Sequence, residues 1–201
     1  MLFLTKRIGR HKLKNCPFIK GFVQTQGDKS LSIGAVMSRG KTMNVAVISV
    51  GKLREKPYRE MADEYLKRLS RYGKYEEIEL QDLPERDGGS PTAEDHVKTR
   101  EGEEILRRLR PDDRVIAMTI AGKQRSSEEL ARELGKAKLQ GRGRLVFLIG
   151  GSLGLGQNVL TRADDEMSMS RMTFPHQLAK EMLLEQLYRA EKILSGERYH
   201  K

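Results

Sequence analysis

From residue 44 onward, the spacing of apolar residues alternates between a pattern typical of strands and a pattern typical of helices. A nearly continuous apolar run at residues 44–50 predicts a buried strand. An amphipathic helix is predicted after it, because five large side chains recur at helical spacing: Tyr58, Met61, Tyr65, Leu69 and Tyr72. Pro57 fits the first turn of this helix, and Gly73 fits its end.

The same alternation continues to the C-terminus. Further strands are predicted at residues 75–80, 115–120, 145–149 and 166–170. Further helices are predicted at residues 93–109, 126–139 and 158–162 and from Pro175 onward, with an exposed loop at residues 84–91. Strands that alternate with helices indicate an α/β fold with a largely parallel sheet.

Three local patterns add detail to this outline. Ser126 and Glu129 have the spacing of a capping box at the start of a helix. The run at residues 115–120 is almost entirely apolar, which predicts a strand that is covered on both faces and ends at residues 121–123. The last helix is expected to carry four apolar residues on or near one face: Leu178, Met182, Leu187 and Ile193.

A glycine-rich loop, Gly150-Gly151-Ser152-Leu153-Gly154-Leu155-Gly156, follows the strand predicted at residues 145–149. Glycine lets backbone N–H groups approach a ligand, and open α/β sheets bind ligands at the carboxyl ends of their strands. The loop lacks the third glycine of a dinucleotide fingerprint, since Val159 stands there, and the chain has no P-loop motif. Both a ligand-binding loop and a tight turn without a ligand fit this pattern.

The segment at residues 167–176 joins a short predicted strand to the last helix. Its three methionines are typical of adaptable core packing. His176 fits a capping or surface position, although the positive end of a helix also favours a neutral imidazole or a bound anion. By composition alone, the terminal Tyr199-His200-Lys201 is typical of a frayed tail.

Positive charge is concentrated at the N-terminus. Residues 1–42 contain nine Lys or Arg and one acidic residue, whereas residues 43–201 contain 29 basic and 27 acidic side chains. We expect residues 1–42 to be a basic unstructured leader, and three origins fit it: a start assigned upstream of Met43, an RNA-binding arm or an organelle transit peptide. Because the body is nearly neutral, any RNA contact is expected through a local patch.

The chain offers no metal site and no nucleophile paired with a base. Its four histidines lack ligand spacing, Cys16 is its only cysteine, and no GxSxG motif occurs. A bound cofactor is therefore expected to bring any reactive group. No run approaches the ~20 apolar residues of a membrane span, and one cysteine forms no intrachain disulfide, so we expect a cytoplasmic protein without membrane attachment.

Four motifs in the C-terminal third occur together and in a fixed order. They are Ile149-Gly150-Gly151-x-x-Gly154, Ser168-x-Ser170-x-Met172-Thr173-Phe174-Pro175-His176, Glu185-Gln186-Leu187-Tyr188-Arg189-Ala190 and Tyr199-His200-Lys201. Residues 43–201 resemble the ribosomal RNA large subunit methyltransferase H family of the SPOUT superfamily. The resemblance implies an α/β methyltransferase domain at residues 43–201 with a C-terminal trefoil knot, assembled as a homodimer.

The resemblance further implies an activity and its residues. Members use S-adenosylmethionine to methylate N3 of a pseudouridine in 23S rRNA, acting on assembled ribosomes. By motif, nine residues would bind the cofactor: Met118 at the end of its strand, Gly150, Gly154, Met169, Ser170, Arg171, Met172, Thr173 and Phe174. Three would form the catalytic pocket for the target base, with the tail reaching toward the partner subunit: Arg189, Tyr199 and His200. We expect His200, or a water that the tail polarises, to take the N3 proton.

Two rival functions fit parts of the sequence. A nicotinamide-dependent oxidoreductase would use the glycine loop, although the third glycine is missing. A noncatalytic ribosome-binding factor of the same fold would keep the motifs without transferring a methyl group. If the protein binds RNA, as a methyltransferase or as a noncatalytic factor, two interpretations fit four basic residues near strand ends: each contacts a phosphate, or each is part of a solvated face. The four residues are Lys52, Arg54, Lys123 and Arg125.

Overall fold

The computed structural model describes residues 44–84, 90–141 and 143–199. The strands in these ranges are β1 (Asn44–Val50), β2 (Lys74–Leu80), β3 (Arg114–Gln124), β4 (Arg144–Ile149) and β5 (Asp165–Ser168). The helices are α1 (Lys56–Leu69), α2 (Pro91–Arg108), α3 (Ser127–Gln140), α4 (Gln157–Arg162) and α5 (His176–Leu194). The predicted leader at residues 1–42, most of the loop at residues 84–91 and the predicted base His200 lie outside the described residues.

The five strands form one sheet in the order β2-β1-β4-β3-β5, and every neighbouring pair is parallel. β1 lies inside the sheet, where Val45 is in register with Tyr75 of β2 and with Leu145 of β4. The predicted α/β class with a parallel sheet is confirmed. No helix in the described part of the chain is long and apolar enough to cross a bilayer.

The core has two layers because the side chains of the central strands alternate between the faces of the sheet. Val45 and Val47 of β1 belong to a cluster that also holds buried residues of α1, α3 and α5. Ile48 and Val50 belong to a second cluster, with buried residues of α2 and α4. The sheet is therefore covered by helices on both faces, as expected for parallel strands.

The capping box at α3 is confirmed. The Glu129 backbone N–H donates to Ser126 Oγ over 3.2 Å, and the Ser126 N–H donates to Glu129 Oε2 over 2.8 Å. The helix ends at Gly141, whose φ of 60° is the left-handed conformation that glycine adopts readily.

β3 extends beyond its predicted end, to Gln124, and places Met118 inside the strand instead of at its end. Only its first half is covered on both faces, and Ile120 is exposed. Lys123 pairs with Met167 of β5, and a Cβ on Gly122 would lie 2.7 Å from the Met167 backbone. Pairing with β5 therefore extends the strand, and glycine permits that close approach.

Two predictions near the C-terminus need correction. β5 ends at Ser168 and not at Ser170, because the Ser168 hydroxyl donates to the Ser170 carbonyl over 2.8 Å and the chain turns. On α5, only Leu187 of the four predicted face residues is fully buried, whereas Leu183 and Leu184 are also buried. The buried surface of α5 is rotated from the predicted face because the helix packs against both α1 and α3.

Candidate functional site

The glycine loop folds back on itself directly after β4. The Gly154 N–H donates to the Gly151 carbonyl over 3.1 Å, and Gly154 has a φ of 83°. A Cβ on residue 150 would lie 2.4 Å from the carbonyl carbon of Gly154, so the two arms of the loop approach too closely for a side chain. Glycine is therefore required at position 150 by packing and is favoured at position 154 by backbone conformation.

A cavity of about 830 Å³ lies where this loop meets the middle of β3 and the segment after β5. Its volume is typical of small-molecule sites, which span about 300–1,000 Å³. Eight of the nine residues that the sequence nominated for cofactor binding line it: Met118, Gly150, Gly154, Met169, Ser170, Met172, Thr173 and Phe174. The ninth, Arg171, is exposed and is not among the lining residues.

The segment after β5 is shaped by two serine hydroxyls. Ser168 Oγ donates to the Ser170 carbonyl, and Ser170 Oγ accepts from the Met172 N–H over 3.1 Å. The resulting turns direct residues 172–176 along the cavity wall and point Arg171 away from it. Met172 lines the cavity and is nevertheless 69% exposed, which marks it as part of the rim.

His176 is a lining residue that was not among the nominated site residues, although the sequence drew attention to it. It opens α5, and a Cβ on Gly51 would lie 2.6 Å from its Nε2, so the imidazole packs against the backbone at the end of β1. Burial, and after it the charge of Lys180, lowers the pKa of His176. The imidazole is therefore held neutral beside the cavity.

A buried charge network anchors the first turns of α5 beneath this wall. Lys180 Nζ is fully buried and donates to Glu77 over 2.5 Å and to Glu79 over 2.7 Å, both on β2. Arg59 of α1 binds the same two carboxylates, and Glu79 also accepts from the Leu53 N–H over 2.9 Å. The network therefore joins α1, β2 and α5 to the loop after β1, near the position of His176 on α5.

The predicted catalytic residues Arg189 and Tyr199 form a cluster of their own on α5 and the segment after it. Arg189 donates to Glu185 and lies over the Tyr199 ring, 4.9 Å from its centroid. The Tyr199 hydroxyl donates to Glu185 Oε1 over 3.2 Å. Burial, followed by hydrogen bonding to Tyr65, raises the pKa of Tyr199 to about 12, so the phenol is protonated at neutral pH. Neither residue is among those lining the cavity of the same chain.

Several lining residues were not nominated from the sequence. They are residues 119–121 of β3, Ile149, Gly151, Ser152, Leu153, Leu155, Leu160, Glu166, Met167, Ser168, Pro175, His176 and Ala179. Most of them follow one of the predicted cofactor residues by a few positions in the sequence. The sequence signal that could have identified them was therefore their position near a predicted strand end. Within the described ranges, no group of three or more His, Cys, Asp or Glu side chains could hold a metal ion.

Among the four phosphate contacts predicted from the sequence, the structure argues against Arg125 alone. Arg54 is exposed and lies 3.2 Å from Asp82. The Arg125 side chain is only 4% exposed and binds Asp165, so it is not available to a phosphate at the surface. Lys52 and Lys123 are exposed, as their prediction requires.

Comparison with known proteins identifies the family. A family model described as "Predicted SPOUT methyltransferase" matches residues 43–200. A protein of Exiguobacterium sp. (strain AT1b), named ribosomal RNA large subunit methyltransferase H, is 51% identical over 159 residues, which are 79% of this chain and 100% of the relative. The chain belongs to this methyltransferase family.

Further relatives agree with this assignment. An Alkaliphilus oremlandii protein of the same name is 49% identical over 159 residues, again 79% of this chain and the whole relative. A Clostridium perfringens (strain SM101) protein, named ribosomal RNA large subunit methyltransferase H 1, is 48% identical over the same shares. Membership confirms the resemblance stated from the motifs and the assignment as a methyltransferase, and it removes the case for a nicotinamide-dependent enzyme. A domain boundary at residues 42–43 remains a prediction.

Proposed function

We propose that this protein transfers a methyl group from S-adenosylmethionine to N3 of a pseudouridine in 23S rRNA, and that it acts on assembled ribosomes. The observation that carries the proposal is the cavity at the glycine loop, lined by eight motif residues in a chain of this family. Its relatives are named for methylation of large-subunit ribosomal RNA. A ribosomal substrate also leads us to propose a cytoplasmic site of action.

The cavity fits the proposed cofactor in size and in chemistry. A Cβ on Gly154 would meet no described atom within 4 Å, so the loop leaves open space where it borders the cavity. Backbone groups of residues 150–154 and 168–174 would hold the cofactor, with the thioethers of Met118 and Met169 against its apolar parts. When bound, S-adenosylmethionine supplies a methyl group on a positively charged sulfur.

The transfer itself needs positioning and the loss of one proton. Methyl transfer would replace the N3–H bond by a bond from N3 to the methyl carbon, and the sulfur of the cofactor would leave as a neutral thioether. The N3 proton would pass to a base and then to water. We propose His200, or a water that the tail polarises, as that base. Tyr199 and Arg189 would shape the pocket for the target base, and the protonated phenol of Tyr199 would act as a hydrogen-bond donor.

We further propose that the active unit is a homodimer in which the tail of one subunit completes the site of its partner. Two observations support this: Arg189 and Tyr199 cluster around Glu185, and neither lines the cavity of its own chain. We also propose that the C-terminal part is threaded as a trefoil knot. This proposal rests on the chain's membership of the SPOUT methyltransferase family.

The test is transfer of labelled methyl from S-adenosylmethionine to RNA. Assembled ribosomes that lack the modification are compared with free large-subunit RNA as substrates. We expect label at one pseudouridine of the assembled ribosomes. Cofactor binding without label on any ribosomal substrate would contradict methyl transfer and would favour a noncatalytic ribosome-binding factor.

A further inference from the structure

Glu166 of β5 places a charge at the cavity beside the glycine loop. Among the described residues that line this cavity, Glu166 is the only acidic one, and none is Lys or Arg. His176 also lines the cavity and is neutral, because burial and the charge of Lys180 lower its pKa. At neutral pH, the lining side chains therefore bring one negative charge to the cavity and no positive charge.

The Glu166 carboxylate is held in position but is not neutralised. Thr119 Oγ1 donates to Glu166 Oε2 over 2.8 Å, and Thr119 also lines the cavity. The preceding residue, Asp165, forms an ion pair with Arg125, whereas Glu166 has no ion-pair partner in the described part of the chain. A carboxylate accepts several hydrogen bonds, so Glu166 can bind a cationic donor while it keeps its bond to Thr119.

The pleat of β5 explains which side of the cavity Glu166 occupies. Met167 belongs to the core cluster shared with α1, α3 and α5. Successive residues of a strand point to opposite faces, so Glu166 lies on the face that carries α2 and α4. Leu155, which packs against the core of that face, and Leu160 of α4 both line the cavity. Glu166 therefore shares this side of the cavity with two apolar side chains.

The chemistry of the proposed cofactor decides which of its groups suits this carboxylate. S-adenosylmethionine carries two cations, an α-ammonium group and a sulfonium. The ammonium has N–H donors for a carboxylate, whereas the sulfonium has none. A carboxylate against the sulfonium would also lie beside the reactive methyl group and would compete with N3 as its acceptor. The ammonium is therefore the group that matches Glu166.

We propose that Glu166, oriented by Thr119, binds the α-ammonium group of the cofactor. The inference rests on the proposed function and adds a cofactor contact outside the glycine loop and residues 168–174. A charge-assisted hydrogen bond is stronger beside apolar side chains than in water, because the effective dielectric constant is lower there. Glu166 thus selects ligands that carry the ammonium group over neutral nucleosides.

Binding of three ligands tests this contact without methyl transfer. S-adenosylmethionine carries both cations, S-adenosylhomocysteine keeps the ammonium but lacks the sulfonium, and methylthioadenosine has neither. Isothermal calorimetry measures the affinity of each ligand for the wild-type chain and for Glu166→Gln. Glutamine retains the size of glutamate and can accept from Thr119, so this variant removes mainly the charge. We expect about tenfold weaker binding of the two ammonium ligands and unchanged binding of methylthioadenosine.

Two further variants complete the test. Glu103→Gln removes an exposed carboxylate of α2 outside the cavity and should bind all three ligands normally. Thr119→Val keeps the shape of the side chain but removes the donor to Glu166, and it should weaken binding of the two ammonium ligands alone, by about threefold. Thermal unfolding verifies that each variant is folded, and Thr119→Val carries the test if Glu166→Gln is not.

Three results would overturn the ammonium contact. The first is unchanged binding of S-adenosylmethionine in the folded variant. The second is a loss confined to S-adenosylmethionine, which would indicate a contact with the sulfonium. The third is an equal loss for methylthioadenosine, which would indicate a contact with the nucleoside. Failure of the wild-type chain to bind S-adenosylmethionine would instead count against the proposed function.

Discussion

At the scale of single residues, Asp113 and Arg144 show how a buried charge is held in this fold. Arg144 Nη2 donates to Asp113 Oδ2 over 2.6 Å, and the Asp113 side chain is fully buried. Glu76 and the Arg108 carbonyl accept the remaining guanidinium donors. This cluster lies at the start of β4, at the opposite end of that strand from the glycine loop, so its effect on stability can be separated from binding.

Removal of the Asp113 carboxylate is expected to destabilise the fold strongly. Asp113→Ala leaves a buried guanidinium short of its main partner, so the free energy of unfolding should fall by about 3–5 kcal/mol. Glu104→Ala, which removes an exposed partner of Arg107, is the control and should change it by less than about 1 kcal/mol. Urea denaturation monitored by circular dichroism measures both, and equal effects would refute the assignment.

The same carboxylate predicts how stability depends on pH. Burial alone would raise the pKa of Asp113, but hydrogen bonds from Arg144 and the Arg110 N–H outweigh it and lower the pKa. The unfolded state therefore binds the proton more readily, and the stability contribution is lost as the pH falls through the folded-state pKa. Asp113→Ala should accordingly show a weaker loss of stability in acid than the wild-type protein.

His176 predicts how binding depends on pH. Burial and Lys180 lower its pKa, while Asp82 and Glu79 act in the opposite direction, so the imidazole is neutral at pH 7. Below this lowered pKa, which lies under the ordinary value of about 6.5, protonation places a positive charge beside the cavity and opposes a cationic cofactor. We expect S-adenosylmethionine affinity to fall by about tenfold at acidic pH, which corresponds to roughly 1.4 kcal/mol.

Calorimetric titration at a series of pH values measures this effect. His176→Gln serves as the control because glutamine has a polar side chain that does not titrate. An acid-induced loss of affinity that is equally large in this variant would show that another group is responsible.

At the scale of elements, the turn from β4 into the glycine loop sets the shape of the cavity. Gly150→Ala would place a Cβ 2.4 Å from the Gly154 carbonyl carbon, so the loop must open. We expect at least a tenfold loss of S-adenosylmethionine affinity, which corresponds to about 1.4 kcal/mol. Isothermal calorimetry measures the affinity, and thermal unfolding verifies that the variant is folded.

A substitution at a second glycine is the control for Gly150→Ala. Gly141 ends α3 with a φ of 60°, and a Cβ there meets nothing described within 4 Å. Asparagine tolerates that backbone conformation, so Gly141→Asn should bind the cofactor normally. Equal losses in both variants would indicate that general destabilisation, and not loop geometry, reduces binding.

At the scale of the whole molecule, the separation of Tyr199 from the cavity predicts cooperation between subunits. The Tyr199→Ala and Gly150→Ala homodimers should each lose most methyl transfer. In a mixed dimer, the intact tail of the Gly150→Ala subunit would complete the intact cavity of its partner, so coexpression should restore activity. Methyl transfer by purified heterodimers carrying two different tags tests this.

The matched control is a mixed dimer of wild-type and Gly150→Ala chains. It should be active whether a tail completes the cavity of its own chain or that of its partner. Inactive mixed dimers of the two variants would indicate that each tail serves its own cavity. Sedimentation measures whether the protein is a dimer at the concentrations used.

Local sequence predicted most elements, because their signals lie within a few residues. The apolar run at residues 44–50 predicted β1 with little error. The capping box and Gly141 did the same for the two ends of α3. The glycine loop was also predicted at the end of β4, since a strand followed by glycines needs no distant partner to be recognised. The family motifs then nominated eight residues that do line one cavity.

Tertiary structure decided what depends on contacts between distant residues. Pairing with β5 extended β3 past Gly122, and packing against two helices chose which face of α5 is buried. Arg125, predicted from its position to meet phosphate, became buried between Asp165 and Glu133. Residue type and spacing thus determined the strands, the helices and the glycine loop. Strand order, burial and charge pairing required the folded chain, because they join residues far apart in sequence.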